Sequence, residues 1–330
     1  MNALFSAPIL FFALGGAIAL AGARIPVPDG FGKTLAAYLL VAIGLKGGAA
    51  LSGSDAGMAA PLLATAAALS FTMPLLGFAL LRRLAGVDRV NAAAIAAHYG
   101  SVSLVTFVTA TRMLESQGIG FGGYMAAALA VMEGPAIVSG LLLAGLAGTV
   151  RAGGNGSATL SLGGGGDGTV RTALREAALN GSVLLLAGSL LVGLVIGKPG
   201  MAGLHGLFVA PWDGVLCLFL LEMGYVTAAR MREAARLGPR LIAFGLAMPL
   251  IGAVIGLGAA MALGLRTGDA ALLVTLCASA SYIAVPAALQ HALPAADPGV
   301  SLPLALGITF PVNILAGIPL YIAMAAAAVG

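Results

Sequence analysis

Ten apolar stretches, each about long enough for a membrane-crossing helix, dominate this chain. They lie near residues 4–22, 33–52, 58–81, 91–111, 122–148, 178–197, 209–229, 241–264, 270–290 and 302–328. A hydrocarbon core of about 30 Å takes about 20 such residues per helix. Charged residues make up 8% of the 330 and mean hydropathy is +1.06, whereas soluble domains carry about 25% charge. The sequence therefore predicts an all-α polytopic membrane protein with ten transmembrane helices.

The formal net charge of +4 does not point to nucleic acid. The basic residues are scattered between apolar segments, with no patch and no interleaved aromatics. Membrane topology accounts for them better. With the N-terminus outside, the cytoplasmic connections hold Arg24 and Lys33; Arg82, Arg83 and Arg89; Arg151, Arg171 and Arg175; and Arg230, Arg232, Arg236 and Arg240. Only Arg112, Lys198 and Arg266 fall outside, and Lys46 lies within the second segment. This positive-inside bias predicts a multi-pass plasma (inner) membrane protein with both termini exterior. The first segment has no basic residue before it, so it reads as a helix rather than a signal peptide. Cys217 and Cys277 lie within apolar segments and read as core residues.

A Gly/Ser-rich stretch, residues 149–176, separates two halves, 1–148 and 177–330. Its glycines follow no strand and lack the phosphate-loop lysine, so it reads as a flexible cytoplasmic tether. The halves resemble each other. Met73-Pro74-Leu75 is matched by Met248-Pro249-Leu250, and Gly134-Pro135 by Phe310-Pro311, at offsets of 175 and 176 residues. Five helices per half is an odd number, so the second half enters the membrane inverted. The expectation is two inverted five-helix repeats, a plan common among secondary transporters.

The fourth and ninth segments are interrupted by small polar residues: His98-Tyr99-Gly100-Ser101-Val102-Ser103, and Ser279-Ala280-Ser281-Tyr282. An unpaired amide in hydrocarbon costs several kcal/mol, so such a break survives only where it lines a cavity or is buried in protein. A kink with serines bonding across helices explains either break alone. Equivalent breaks in both halves favour a binding site for a small anion, cradled by half-helix N-termini. The expected substrate-binding residues are Gly100, Ser101, Ser103, Ser279, Ala280, Ser281 and Tyr282.

Ionisable residues inside membrane segments are rare and usually face a pathway or a partner. Glu133 beside Gly134-Pro135 is the expected ion-coupling carboxylate, with Asn313 supplying a carbonyl oxygen. Glu222 is read as pairing with Lys46 or capping a helix contact, and Lys46 by default as snorkelling to the interface. His98 reads as a hydrogen-bonded structural residue or a proton relay. No histidines have metal-ligand spacing, and no motif of a membrane enzyme stands out. The chain is expected to be no enzyme and to need no cofactor.

Ile43–Gly48 (IGLKGG), the run GSVS from Gly100, Met132–Ala136 (MEGPA), the segment ASASYIAVPAA from Ala278 and the proline stretch of the tenth segment together resemble the sodium-dependent bicarbonate transporter family. The resemblance covers nearly all ten segments. It implies crossing, broken fourth and ninth helices, a trimer, Na+ as coupling ion and, in some members, a small cytoplasmic PII-like regulator. Glu133 stands where the cyanobacterial form has aspartate. Tyr282 also replaces an aspartate, and Ser103-Leu104 replaces a Ser-Gly pair. The function implied is Na+-dependent bicarbonate symport. The alternatives are a permease for another small anion such as a monocarboxylate, a proton-coupled exchanger, or a membrane ligand sensor.

Overall fold

The computed structural model describes residues 7–28, 30–52, 56–145, 175, 179 and 181–330. Apart from residue 175, the expected linker lies outside the described residues. Helix is the only regular structure among those described. In lipid each backbone N–H must find its acceptor within the protein, which an apolar segment achieves by coiling into a helix.

The helices are α1 (Ala7–Leu20), α2 (Phe31–Leu51), α3 (Ala56–Leu80, prolonged by a π turn to Ala85), α4 (Arg89–Gly100), α5 (Leu104–Ser116), α6 (Tyr124–Gly145), α7 (Gly181–Gly203), α8 (Trp212–Ala234), α9 (Pro239–Ala262), α10 (Thr267–Cys277), α11 (Ala284–Ala292) and α12 (Pro298–Val329). Eight stretches are long and apolar enough to span a membrane, with α4 and α5 counted together. Two fall short of the expected length: α1, with 14 described residues, and α10, with 11. α10 is short because the ninth segment is split, the fourth being split likewise into α4 and α5.

Glycine sets the closest helix contacts. A Cβ on Gly15 would lie 1.8 Å from the Leu221 carbonyl oxygen, and one on Gly224 would lie 2.0 Å from that of Phe12. α1 and α8 therefore touch backbone to backbone. α2 and α7 do the same through Gly48, 2.0 Å by that measure from Leu190 O, and Gly193, 2.3 Å from Leu45 O. Lipid supplies no hydrophobic drive between helices, and close van der Waals approach through small residues substitutes for it. Residue numbers rise together from Gly44 against Leu186 to Gly48 against Leu190, so α2 runs parallel to α7. Gly16 lies against Gly224 and the Ala19 carbonyl accepts from Arg232, so α1 runs parallel to α8.

These four helices form one group. α3, α4 and α6 pack together, as do α9, α10 and the C-terminal part of α12, to make a second. The groups meet where α2 lies on α6 and α8 on the π-helical stretch Pro303–Thr309. α12 contains a second π turn, Asn313–Gly317. Pro303, Pro311 and Pro319 supply no N–H to the helical ladder, and wider turns accommodate the loss.

Asp88 caps α4 by accepting from the Asn91 N–H at 3.1 Å and from its side-chain amide at 2.7 Å. The Asn91 side-chain oxygen Oδ1 in turn accepts the Asp297 N–H at 2.7 Å, which ties the start of α4 to the start of α12. Burial pushes the Asp88 carboxyl up, but its hydrogen bonds outweigh that and hold it below the usual carboxylate range. A depressed pKa stabilises fully above the unfolded value and is lost as pH falls through the folded one. The cap thus persists at neutral pH and fails only in acid. Asp88→Ala is expected to cost about 1 kcal/mol, read as a lower melting temperature in detergent.

Candidate functional site

α4 ends at Gly100, Ser101 turns extended, and Ser103 caps the restart at α5. The Ser103 hydroxyl oxygen accepts the Thr106 N–H at 3.2 Å and the Thr106 hydroxyl at 2.9 Å. Both its lone pairs are then engaged, leaving its own proton to be given elsewhere. The Ser103 N–H goes to Ser279 Oγ at 3.0 Å, and that hydroxyl donates to the Leu276 carbonyl at 2.9 Å. Serine is well placed in such a break because it both caps a helix and bonds to free backbone.

The second break is fastened to the first. The Ser281 N–H donates to the His98 carbonyl at 2.8 Å, and His98 Nδ1 lies 2.5 Å from the Ser281 carbonyl. A carbonyl only accepts, so Nδ1 carries the proton. α11 restarts at Ala284, with the Val285 N–H reaching Ser281 Oγ at 3.4 Å. The side-chain amide of Asn313, from the π turn of α12, donates to the Ala278 carbonyl at 2.8 Å. Every polar residue of the two breaks is buried.

A narrow pocket, part of it open to the outside, lies against these breaks. Ser103, Ser281, Tyr282 and Glu133 bring polar groups to it; Leu40 of α2, Leu104 and Ile283 are among its apolar walls. Ser182 of α7 also lines it. The pocket therefore sits on the seam between the two helix groups. Glu133 is buried, and its Oε2 has no hydrogen-bond partner. Among the described residues its carboxylate has no ion pair either. The Tyr282 hydroxyl lies beside Ser103 without a well-formed hydrogen bond. Pro135 offers no N–H to the helix around Glu133. Nearby carbonyls receive serine hydroxyls: Ser70 bonds Met132 O at 2.6 Å and Ser101 reaches Glu133 O at 3.5 Å.

Four expected site residues thus share one pocket: Ser103, Glu133, Ser281 and Tyr282. The others lie behind it. A Cβ on Gly100 would fall 2.2 Å from the Pro74 ring, so this glycine admits α3 rather than a ligand. Ser101 and Ser279 bond to backbone, and Ala280 is buried within the second break. The Asn313 side-chain oxygen, expected to face a cation, accepts the Tyr321 hydroxyl at 2.7 Å, while its amide holds Ala278. Asn313 supports the break from behind.

Lys46 and Glu222 do not pair. The Lys46 ammonium sits over the Trp212 ring, 4.2 Å from its centre, rather than snorkelling free. The Glu222 carboxylate lies against the backbone of Gly32 at the start of α2. Sequence reasoning passed over Asp269. It is buried at the start of α10, accepting the Gly122 N–H at 2.6 Å and the Tyr124 hydroxyl at 2.5 Å, and so joins α10 to α6. An acidic residue immediately before the ninth apolar segment was the available signal, weakened by its place next to a turn.

No cluster of three or more His, Cys, Asp or Glu occurs among the described residues. One carboxylate with neutral oxygens around it suits a hard monovalent cation, and three hydroxyls with protons to give suit a small oxyanion. No individually curated protein matches the chain. Residues 7–326 match the sequence profile of the Na+-dependent bicarbonate transporter superfamily, almost the whole length. With eight spanning stretches and a family of transporters behind it, the chain is a multi-pass membrane protein of the Na+-dependent bicarbonate transporter superfamily.

Proposed function

We propose that this protein is a symporter that carries bicarbonate inward with Na+. The observation that carries the reading is the shared pocket, which sets a buried carboxylate, its Oε2 without a partner among the described residues, beside hydroxyl donors on two broken helices. A carboxylate repels a bare anion. Na+ at Glu133 cancels that repulsion and makes the pocket fit for an anion held by Ser103, Ser281 and Tyr282. Each ligand then raises the other's affinity by the same factor, because coupling is reciprocal. A tenfold Na+ gradient supplies about 1.4 kcal/mol per ion. A one-to-one cycle moves no net charge, and each further Na+ adds about 2.3 kcal/mol per 100 mV.

The architecture proposed is ten transmembrane helices in two inverted five-helix repeats, 1–148 and 177–330, with broken fourth and ninth helices crossing at the site. Three observations support it. Ser103 and Ser279, 176 residues apart, touch through the Ser103 N–H to Ser279 Oγ bond, consistent with equivalent positions close to a two-fold axis. The offset also carries Gly48 onto Gly224. The Gly48–α7 and Gly224–α1 contacts then become one contact seen twice. The pairs α1/α8 and α2/α7 exchange under the same operation. Exterior termini and a cytoplasmic 149–176 linker follow from the basic residues. The trimer and the PII-like partner rest on family resemblance.

The test is uptake of labelled bicarbonate into proteoliposomes at fixed pH. Uptake is expected to follow an inward Na+ gradient and to vanish in K+. Uptake driven equally by a proton gradient without Na+ would replace symport with proton-coupled exchange. Monocarboxylate uptake in preference to bicarbonate would change the substrate. Binding without counterflow would make the protein a sensor.

A further inference from the structure

A second cavity, larger than the first at about 630 Å³ including open space, is lined by Ile43, Lys46, Phe107, Thr111, Glu115 and Trp212, with glycines and alanines of α2 and α6. It lies on the same seam between the helix groups and along the same two helices as the inner pocket. On α2, Leu40 faces the inner pocket and Ile43 and Lys46 the second. On α5, Ser103 and Leu104 face the inner pocket and Phe107 and Thr111 the second. At about 1.5 Å per residue Lys46 and Thr111 lie roughly 9–12 Å along the helices from Leu40 and Ser103, and Ile43 and Phe107, on the near wall of the second cavity, come between.

The charges around it balance, Lys46 and Arg112 against Asp213 and Glu115, but they do not pair evenly. Arg112 pairs with Asp213 at 2.8 Å and with Glu115 at 3.5 Å, so these three form a group of their own. Lys46 has no ion pair among the described residues and rests on Trp212 alone. A half-buried ammonium held by an aromatic face retains its attraction for an anion, since the ring neutralises no charge. The floor is rigid: Gly122 is fixed to Asp269, and a Cβ on Gly123 would lie 2.2 Å from Ala50.

The geometry points to a vestibule for a small monovalent oxyanion, with Lys46 as its binding cation and Thr111 beside it, separated from the inner pocket by the Ile43–Phe107 pair. This rests on the reading of the protein as an inward bicarbonate transporter, which places the vestibule on the exterior side. It captures the anion before Na+ and Glu133 come into play. It also accounts for a lysine that feels Glu115 and Asp213 nearby yet makes no direct ion pair among the described residues.

Trp212 is the single tryptophan of the chain and touches Lys46, so its emission reports on the vestibule directly. Sodium bicarbonate, against sodium chloride of equal ionic strength at fixed pH, is expected to change that emission saturably. The change should vanish in Lys46→Gln, return in Lys46→Arg and persist in Glu133→Gln, where transport fails. In uptake, Lys46→Gln should raise half-saturating bicarbonate about tenfold. Unmoved Trp212 emission in a protein that transports bicarbonate overturns the vestibule and leaves the transport reading intact. Absent wild-type transport with a bicarbonate-specific, Lys46-dependent signal does the reverse.

Discussion

Glu133→Gln is expected to remove Na+-driven bicarbonate uptake at ordinary Na+ and to raise half-saturating Na+ on the order of 10–100-fold, the range seen when the surroundings of a metal site are altered. Glutamine keeps the length and the carbonyl oxygen of Glu133 but loses the charge. The variant should fold, because a buried carboxylate without a partner is costly and its neutral counterpart is cheaper to bury. A melting temperature equal to or above the wild type, with uptake gone, would separate function from stability. Glu133→Asp keeps the charge, one methylene further back, and should retain part of the uptake with weaker Na+ dependence. Full uptake by the Gln variant with unchanged Na+ dependence would show that the cation binds elsewhere. The same variant should uncouple the ligands. In wild type, raising Na+ lowers half-saturating bicarbonate, and in Glu133→Gln that dependence should flatten.

Much of the fold is legible because lipid leaves little choice. An apolar run of helix length becomes a helix whatever its neighbours do, and eight of the ten expected segments coincide with helical stretches long and apolar enough to span a membrane. The splits at Gly100–Ser103 and Cys277–Ile283 were legible as well, since small polar residues cluster at membrane depth at equivalent places in both halves. Partnerships across the sequence were not. Lys46 and Glu222 look like natural partners by charge, yet Trp212 claims the first and the N-terminus of α2 the second. Asn313 has the chemistry of a cation ligand, but Tyr321, eight residues on, takes its oxygen. Gly100 marks a close approach, and the chain alone does not say that Pro74 makes it. The apolar walls of the pocket, Leu40, Leu104 and Ile283, carry no mark that separates them from the other leucines and isoleucines of the core.

Removing the imidazole of His98 should have the second-largest effect, and through position rather than contact with substrate. His98 closes the last turn of α4 and holds Ser281 by two bonds of opposite sense, one from backbone and one from the ring. Ser281 and Tyr282 are two of the three hydroxyl donors of the pocket, so this clamp sets where they stand. His98→Ala leaves the Ser281 carbonyl buried without its ring donor, a cost of about 1–3 kcal/mol, and adds a cavity. Half-saturating bicarbonate should rise more than tenfold. His98→Asn places an amide donor near the position of Nδ1 and should restore much of the affinity as well as the stability. An alanine variant with wild-type half-saturation would show that the breaks hold each other without the ring. The asparagine variant also decides the other expectation for this residue. Asparagine cannot carry a proton at neutral pH, so transport by His98→Asn discards a proton relay. Its loss in a protein of unchanged melting temperature would reinstate one.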